Sequence, residues 1–138
     1  MVTKPEVTVG LHRMVFEADD IIICHYGPVI GEKEIQALIE LQREHVKGKP
    51  YFLLIDLSRC GIPSAPVRRV IGQSTTQVTL RGVAMYGGGL HIRAVARLLN
   101  TALALFGKNP FPQEFFGSRE AALAWLYELR GQQAAANP

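Results

Sequence analysis

Apolar and polar positions recur along this chain with two different periods, and the changes between them mark out its elements. Val7–Phe16 alternates apolar and polar residues, the pattern of a strand with one wet face. Glu17–Asp20 is a polar break, and the β-branched run Ile21–Tyr26 is predicted to pair back as a hairpin. From Glu32 the spacing lengthens. Ile35, Leu38, Ile39 and Val46 fall near helical spacing, with Glu32 and Glu34 in a first turn where acids suit the helix dipole, and Gly48–Pro50 stops the helix. Tyr51–Leu57 (YFLLIDL) is a nearly continuous apolar run, suited to a central strand covered on both faces. Ser58–Pro66 reads as a loop, and Val67–Leu80 as a helix weakened by Gly and β-branched residues. Gly82–Tyr86 is a second buried strand. It is followed by Gly87–Gly89, a long helix over Leu90–Phe106, a turn at Gly107–Pro112 and a short edge strand at Gln113–Phe116. Ser118 is placed to cap a last helix that Gly131 is expected to end, leaving Gln132–Pro138 as a flexible tail.

The resulting order, β-β-α-β-α-β-α-β-α, implies one α/β domain over Met1–Gly131, with a mixed, mostly parallel sheet and helices packed against it. At 138 residues the chain can bury a core without staples. In the long helix, Ile92, Val95, Ala96, Leu99, Leu103 and Phe106 form one apolar face. Ala94, Leu98, Thr101 and Leu105 extend it, and Arg93, Arg97 and Asn100 mark the polar side. That stripe is wider than a helix lying on one sheet needs, so a second helix, a partner subunit or a ligand is expected over the excess. Trp125 reads as a core anchor of the last helix.

Composition narrows the function classes. The net charge is +3, and the basic residues are scattered among acids rather than gathered in a stripe, which argues against nucleic acid. No apolar run approaches the ~20 residues of a membrane span, so an integral membrane protein is not expected. Met1–Gly10 lacks the head and apolar block of a secretory signal, and Cys24 and Cys60 form no CxxC pair; together these point to the cytoplasm. His12, His25, His45 and His91 show no HExxH spacing. No metal, cofactor or catalytic pair is therefore expected, and a binding module is favoured over an enzyme.

The candidate chemistry gathers after the YFLLIDL strand. Asp56, Ser58 and Ser64 lie at and beyond its C-terminal end, where open α/β sheets meet ligands and partners. Arg68 and Arg69 follow and could pair with a phosphate on Ser64. The plainer alternative makes these serines turn and cap residues and Asp56 an acceptor for loop amides. Gly87, Gly88 and Gly89 could offer amides to an anion at the start of the long helix, with Arg93 and Arg97 nearby, or could simply form a tight turn. Arg59, Arg68, Arg69, Arg81, Arg93 and Arg97 would suit an anionic head group if they shared one side, beside a pocket opened by the wide stripe. Cys60 could be a reactive thiol beside Arg59.

IDLS at Ile55–Ser58, GVAMYGG at Gly82–Gly88, RAVARLL at Arg93–Leu99 and FFGSREAALAWL at Phe115–Leu126 resemble the bacterial SpoIIAA-like family. That family is related to the STAS domain of anti-sigma-factor antagonists and is also similar to the CRAL-TRIO lipid-binding fold. The resemblance covers about Val7 to Leu129 and implies the fold more than an activity. An antagonist carries D-x-S at the end of the central strand and Asp-Ser-Ser-Gly at the next helix start, with the Ser phosphorylated by a partner kinase. Asp56-Leu57-Ser58 matches the first part; Ile62-Pro63-Ser64-Ala65-Pro66 stands in place of the second, with Ser64 near the switch position. The resemblance implies a protein-interaction module, expected as a homodimer, with an anti-sigma-like kinase as possible partner. A carrier or sensor of a lipid or small hydrophobic or anionic ligand is the alternative.

Overall fold

The computed structural model describes residues 4–106 and 110–136. The chain runs β1 (Glu6–Val9), β2 (His12–Ala18), β3 (Ile21–His25), α1 (Glu32–Val46), β4 (Tyr51–Asp56), α2 (Ala65–Ser74), one 3-10 turn (Thr75–Gln77), β5 (Leu80–Tyr86), α3 (Leu90–Phe106), β6 (Gln113–Phe116) and α4 (Arg119–Ala136). One six-stranded sheet holds the strands in chain order, β1-β2-β3-β4-β5-β6. The β1–β2 and β2–β3 pairs are antiparallel, and the pairs from β3 to β6 are parallel. Parallel neighbours that follow one another in sequence, joined by crossovers of one hand, place α1, α2 and α3 on one face. α4 covers the other.

The expected architecture stands, with four local corrections. The single strand over Val7–Phe16 is a hairpin of its own, because Gly10 takes φ +59°, a left-handed conformation that reverses the chain. The sheet therefore gains a strand. The helix expected over Val67–Leu80 stops at Ser74, and Leu80 already belongs to β5; the β-branched Thr75, Thr76 and Val78 lie where the α-helix gives way. Gly131 does not end α4. The helix runs through to Ala136, where Ala134–Ala136 favour it and Gln133 Nε2 donates to the Arg81 carbonyl at 3.0 Å. The tail read over 132–138 is thus helical as far as Ala136. Trp125 is only half-buried, tilted against Phe116 at 5.5 Å between ring centroids, while Leu126 beside it is fully enclosed and anchors the helix. Part of the turn expected at Gly107–Pro112 lies outside the described residues.

Local chemistry explains the ends. Glu34 Oε1 accepts the Gly31 N–H at 2.9 Å to open α1. Lys47, at φ 53°, closes it by donating its N–H to the Arg43 carbonyl. Ser118 Oγ accepts the Ala121 N–H at 3.1 Å at the start of α4. Around the β2–β3 turn, Glu17 at the end of β2 pairs with Lys4, and Asp20 with Arg130 at 2.8 Å.

The two faces of the sheet differ. On the α4 side Ile21, Ile23, Phe52 and Leu54 pack against Ala122 and Leu126 in one continuous core. α4 approaches β5 so closely that a Cβ on Gly82 would come within 2.6 Å of Leu129 Cδ2. On the other side α3 reaches the sheet through long side chains without a comparable backbone approach. No helix among the described residues is long and apolar enough to cross a membrane.

Candidate functional site

The parallel register sets His25 at the end of β3 beside Asp56 at the end of β4. His25 Nδ1 lies 2.8 Å from Asp56 Oδ2. The other carboxylate oxygen, Oδ1, accepts both the Ser58 N–H, at 2.9 Å, and the Ser58 hydroxyl. Burial works to raise the Asp56 pKa, but the hydrogen bonds from Ser58 and His25 outweigh it and hold the carboxyl below its ordinary value. An ionised carboxylate only accepts, so Nδ1 of His25 carries the proton. Asp56 also pushes the Tyr86 phenol up, after burial, from the end of β5. This cluster ties three strand ends together. Sequence reading found Asp56 and Ser58 but not His25, because only the strand register connects positions so far apart.

Ser64 is exposed at the mouth of α2. Its Oγ accepts the Val67 N–H at 3.4 Å and its carbonyl accepts the Arg68 N–H at 2.9 Å, the geometry of a cap. Arg68 Nη1 donates to the Pro63 carbonyl at 2.6 Å, and Arg69 is exposed. Gly87 and Gly88, both at φ 76°, let the chain turn against the segment after β4; a Cβ on Gly88 would come within 2.6 Å of Ile92 and 3.0 Å of Leu57. The Gly89 carbonyl accepts the Arg93 N–H as α3 starts. The Arg93 and Arg97 guanidiniums both lie over the Phe115 ring, 4.7 and 4.8 Å from its centroid, on the β6 side. The six arginines do not share one side: Arg81 stands near the N-terminal end of β5, while Arg59 follows the C-terminal end of β4. Cys60 is a free, half-buried thiol pushed up to about 11 by burial and then by the Asp56 charge, which makes it a poor nucleophile.

The larger feature lies between the sheet and the three helices on its open face. Ile35 and Ile39 of α1, Ile71 of α2, and Val95, Leu99 and Leu103 of α3 help to enclose an apolar chamber floored by β4 and β5. The enclosed room is about 120 Å³; counting the open solvent at its mouth, the space free of protein atoms reaches about 920 Å³. No charged side chain lines it among the described residues. Burial pushes the hydroxyls of Tyr26 and Tyr51 on its wall above the usual phenol range. Two carboxamides break the apolar lining. Gln42 is 3 % exposed and Asn100 6 %. Asn100 was expected on the polar side of α3; it faces inward instead, its Nδ2 3.3 Å from Met85 Sδ. The excess stripe of α3 thus divides. Its inner face lines the chamber, while Leu90, Leu98 and Leu105 are exposed. Among the described residues no group of three or more His, Cys, Asp or Glu could hold a metal ion.

No family model matches the chain. No curated protein matches it either. Among solved structures it is similar to an uncharacterized protein of the DUF3478 family from Shewanella loihica PV-4, described as having a SpoIIAA-like fold. The two align with a TM-score of 0.62 at 19 % identity, covering 87 % of this chain and 98 % of the other. At that identity the likeness speaks for the architecture alone. Six strands in order, α1–α3 on one face and α4 on the other constitute a SpoIIAA-like fold.

Proposed function

We propose that this chain is a binding module without a reaction centre, which takes a small hydrophobic ligand into the chamber beneath α3. The observation that carries this reading is the chamber itself. It is apolar and partly open, on a sheet whose opposite face is filled by α4. Its polar groups are few and fixed, as expected of a pocket that orients a ligand rather than transforms it. Two free cysteines support a cytoplasmic setting. Native mass spectrometry of protein taken directly from cells tests the proposal: a noncovalent adduct released on activation is expected. Material that is always ligand-free, and that also fails to bind the uncharged fluorescent hydrophobe N-phenyl-1-naphthylamine, would refute it.

A second reading is favoured by one feature, the exposed Ser64 at the start of α2 with Arg68 and Arg69 after it. Here the segment Asp56–Arg69 docks a protein partner, an anti-sigma-like kinase among the options, and phosphorylation of Ser64 tunes the contact. A phosphate would replace a neutral cap with about −1.5 to −2 charge at a helix N-terminus. Capture of a partner that is insensitive to both Ser64→Asp and Arg69→Glu would count against it. The exposed leucines of α3 are the surface this reading assigns to a homodimer, and the same mass spectra report that state.

A further inference from the structure

The face of α3 turned away from the chamber is apolar too. Leu90, Ala94, Leu98, Thr101 and Leu105 are all exposed, and none of them lines the chamber. Leu90 is 87 % exposed, Leu98 72 % and Leu105 74 %. Steps of four, four, three and four residues keep these positions within about 80° of arc and draw a ridge of about 22 Å along the helix. A helix that is apolar on every side is normally covered on every side. No described residue covers this ridge.

The charge around the ridge has one sign. Over the whole chain acids and bases look mixed, yet no Asp or Glu occurs between Asp56 and Glu114. α2, α3 and the segments that lead into them carry Arg59, Arg68, Arg69, Arg93 and Arg97 instead. Arg97 is exposed beside the ridge with Arg93 one turn before it, and both guanidiniums rest on Phe115, so these cations gather along one flank. A second copy of α3 laid on the ridge would bring arginine to arginine, with no carboxylate on either helix to answer it. A lipid surface suits a helix with aromatic side chains on its apolar face and cations on the opposite one. Here the ridge has no aromatic residue, and the opposite face is the chamber wall. A narrow stripe in steps of three and four is what a partner helix packs against.

We propose that the outer ridge of α3 docks an acidic amphipathic helix of a partner protein. The apolar stripe of that helix lies on Leu90, Leu98 and Leu105, and its carboxylates face the Arg93 and Arg97 flank. This goes beyond the ligand reading, since no ridge residue lines the chamber. It gives the exposed leucines to an unlike partner rather than to a second copy.

Fluorescence anisotropy with two labelled synthetic peptides of about 21 residues tests this on the full chain. Both peptides carry leucine at heptad positions a and d; one has glutamate at e and g, the other lysine. The glutamate peptide is expected to bind at least tenfold tighter than the lysine peptide, and its advantage should shrink between about 0.05 M and 0.5 M salt. Leu98→Gln should weaken the glutamate peptide at least tenfold and Arg97→Gln should narrow its advantage, while both variants keep the far-UV circular dichroism of the unaltered chain. Equal binding of the two peptides, binding of neither, or a glutamate peptide indifferent to Leu98→Gln overturns the proposal. Sedimentation as a dimer that Leu98→Gln splits also overturns it, because the ridge then belongs to a second copy. So does Leu98-dependent binding to phosphatidylglycerol vesicles by a chain that ignores the peptide, because the ridge then belongs to lipid.

Discussion

Ala96→Leu tests whether the space under α3 is unfilled. Ala96 sits on the inner face of that helix and lines the chamber. Leu adds three carbons, each worth about 0.8 kcal/mol when fully buried, or roughly 2.4 kcal/mol in all. Fixing the longer side chain costs about 0.5–1 kcal/mol. The lower helix propensity of Leu relative to Ala removes roughly a further 0.2. If the chamber has room, the variant is therefore more stable by about 1.2–1.7 kcal/mol. In a small domain with a urea slope of about 2 kcal/mol per molar, this moves the midpoint up by roughly 0.6–0.9 molar. If α3 were packed like a normal core helix, the same carbons would cost about 1–3 kcal/mol through strain. The sign of the change thus decides the question. Urea unfolding followed by far-UV circular dichroism measures it, and probe titration on the same samples should show binding weakened at least tenfold. A destabilised variant, or a stabilised one that binds the probe as before, would refute the reasoning.

The remaining predictions concern the solid face and the strand ends. Leu126→Ala should cost about 2–5 kcal/mol in chemical denaturation, because the side chain is fully enclosed between α4 and the sheet. Arg130→Ala, which breaks a half-exposed pair with Asp20, should change stability by less than about 1 kcal/mol. Asp56 has a folded pKa below its ordinary 3.8, so the stability it contributes is complete above that value and is lost as pH falls through the folded value. Melting temperatures of the natural chain and Asp56→Asn should therefore differ by a constant amount at neutral pH and converge only below the usual carboxylate range. With Cys60 at about 11 against an ordinary 9.0, its thiolate fraction at neutral pH is about a hundredfold reduced. The gain in intrinsic nucleophilicity recovers roughly tenfold. Iodoacetamide labelling some tenfold slower than that of an unperturbed thiol is the expected result, slower still when the chamber is occupied.

How much of this was legible in the sequence differed by type of residue. α1 and α3 were found at their observed bounds, because each carries a helical apolar stripe and meets a glycine at both flanks. β4 announced itself as an unbroken apolar run. The β1–β2 reversal was hidden because Gly10 interrupts an alternation that continues on both sides of it, and only its backbone angle reveals a turn. The His25–Asp56 pair depends on a parallel register that no local pattern encodes. The width of the α3 stripe did signal something beneath it. What the stripe could not convey was that Asn100, read as solvent-facing beside Arg97, points the other way. Gln42 carried a usable signal that went unread, since it falls within the stripe of Ile35, Leu38 and Val46, where a polar residue is out of place unless it has an inward task.

The contrast between the two sides of the sheet has an evolutionary corollary. Where cohesion and recognition share one set of side chains, every change in specificity endangers the scaffold. Here Ile21, Phe52 and Leu126 secure the chain from behind, while Val95, Leu99 and Asn100 stand on a helix that touches the sheet lightly. On the binding reading proposed above, residues of the second group can drift from one ligand to another with little penalty in folding, so distant descendants of a common ancestor should keep the rear wall alike and diverge in the room before it.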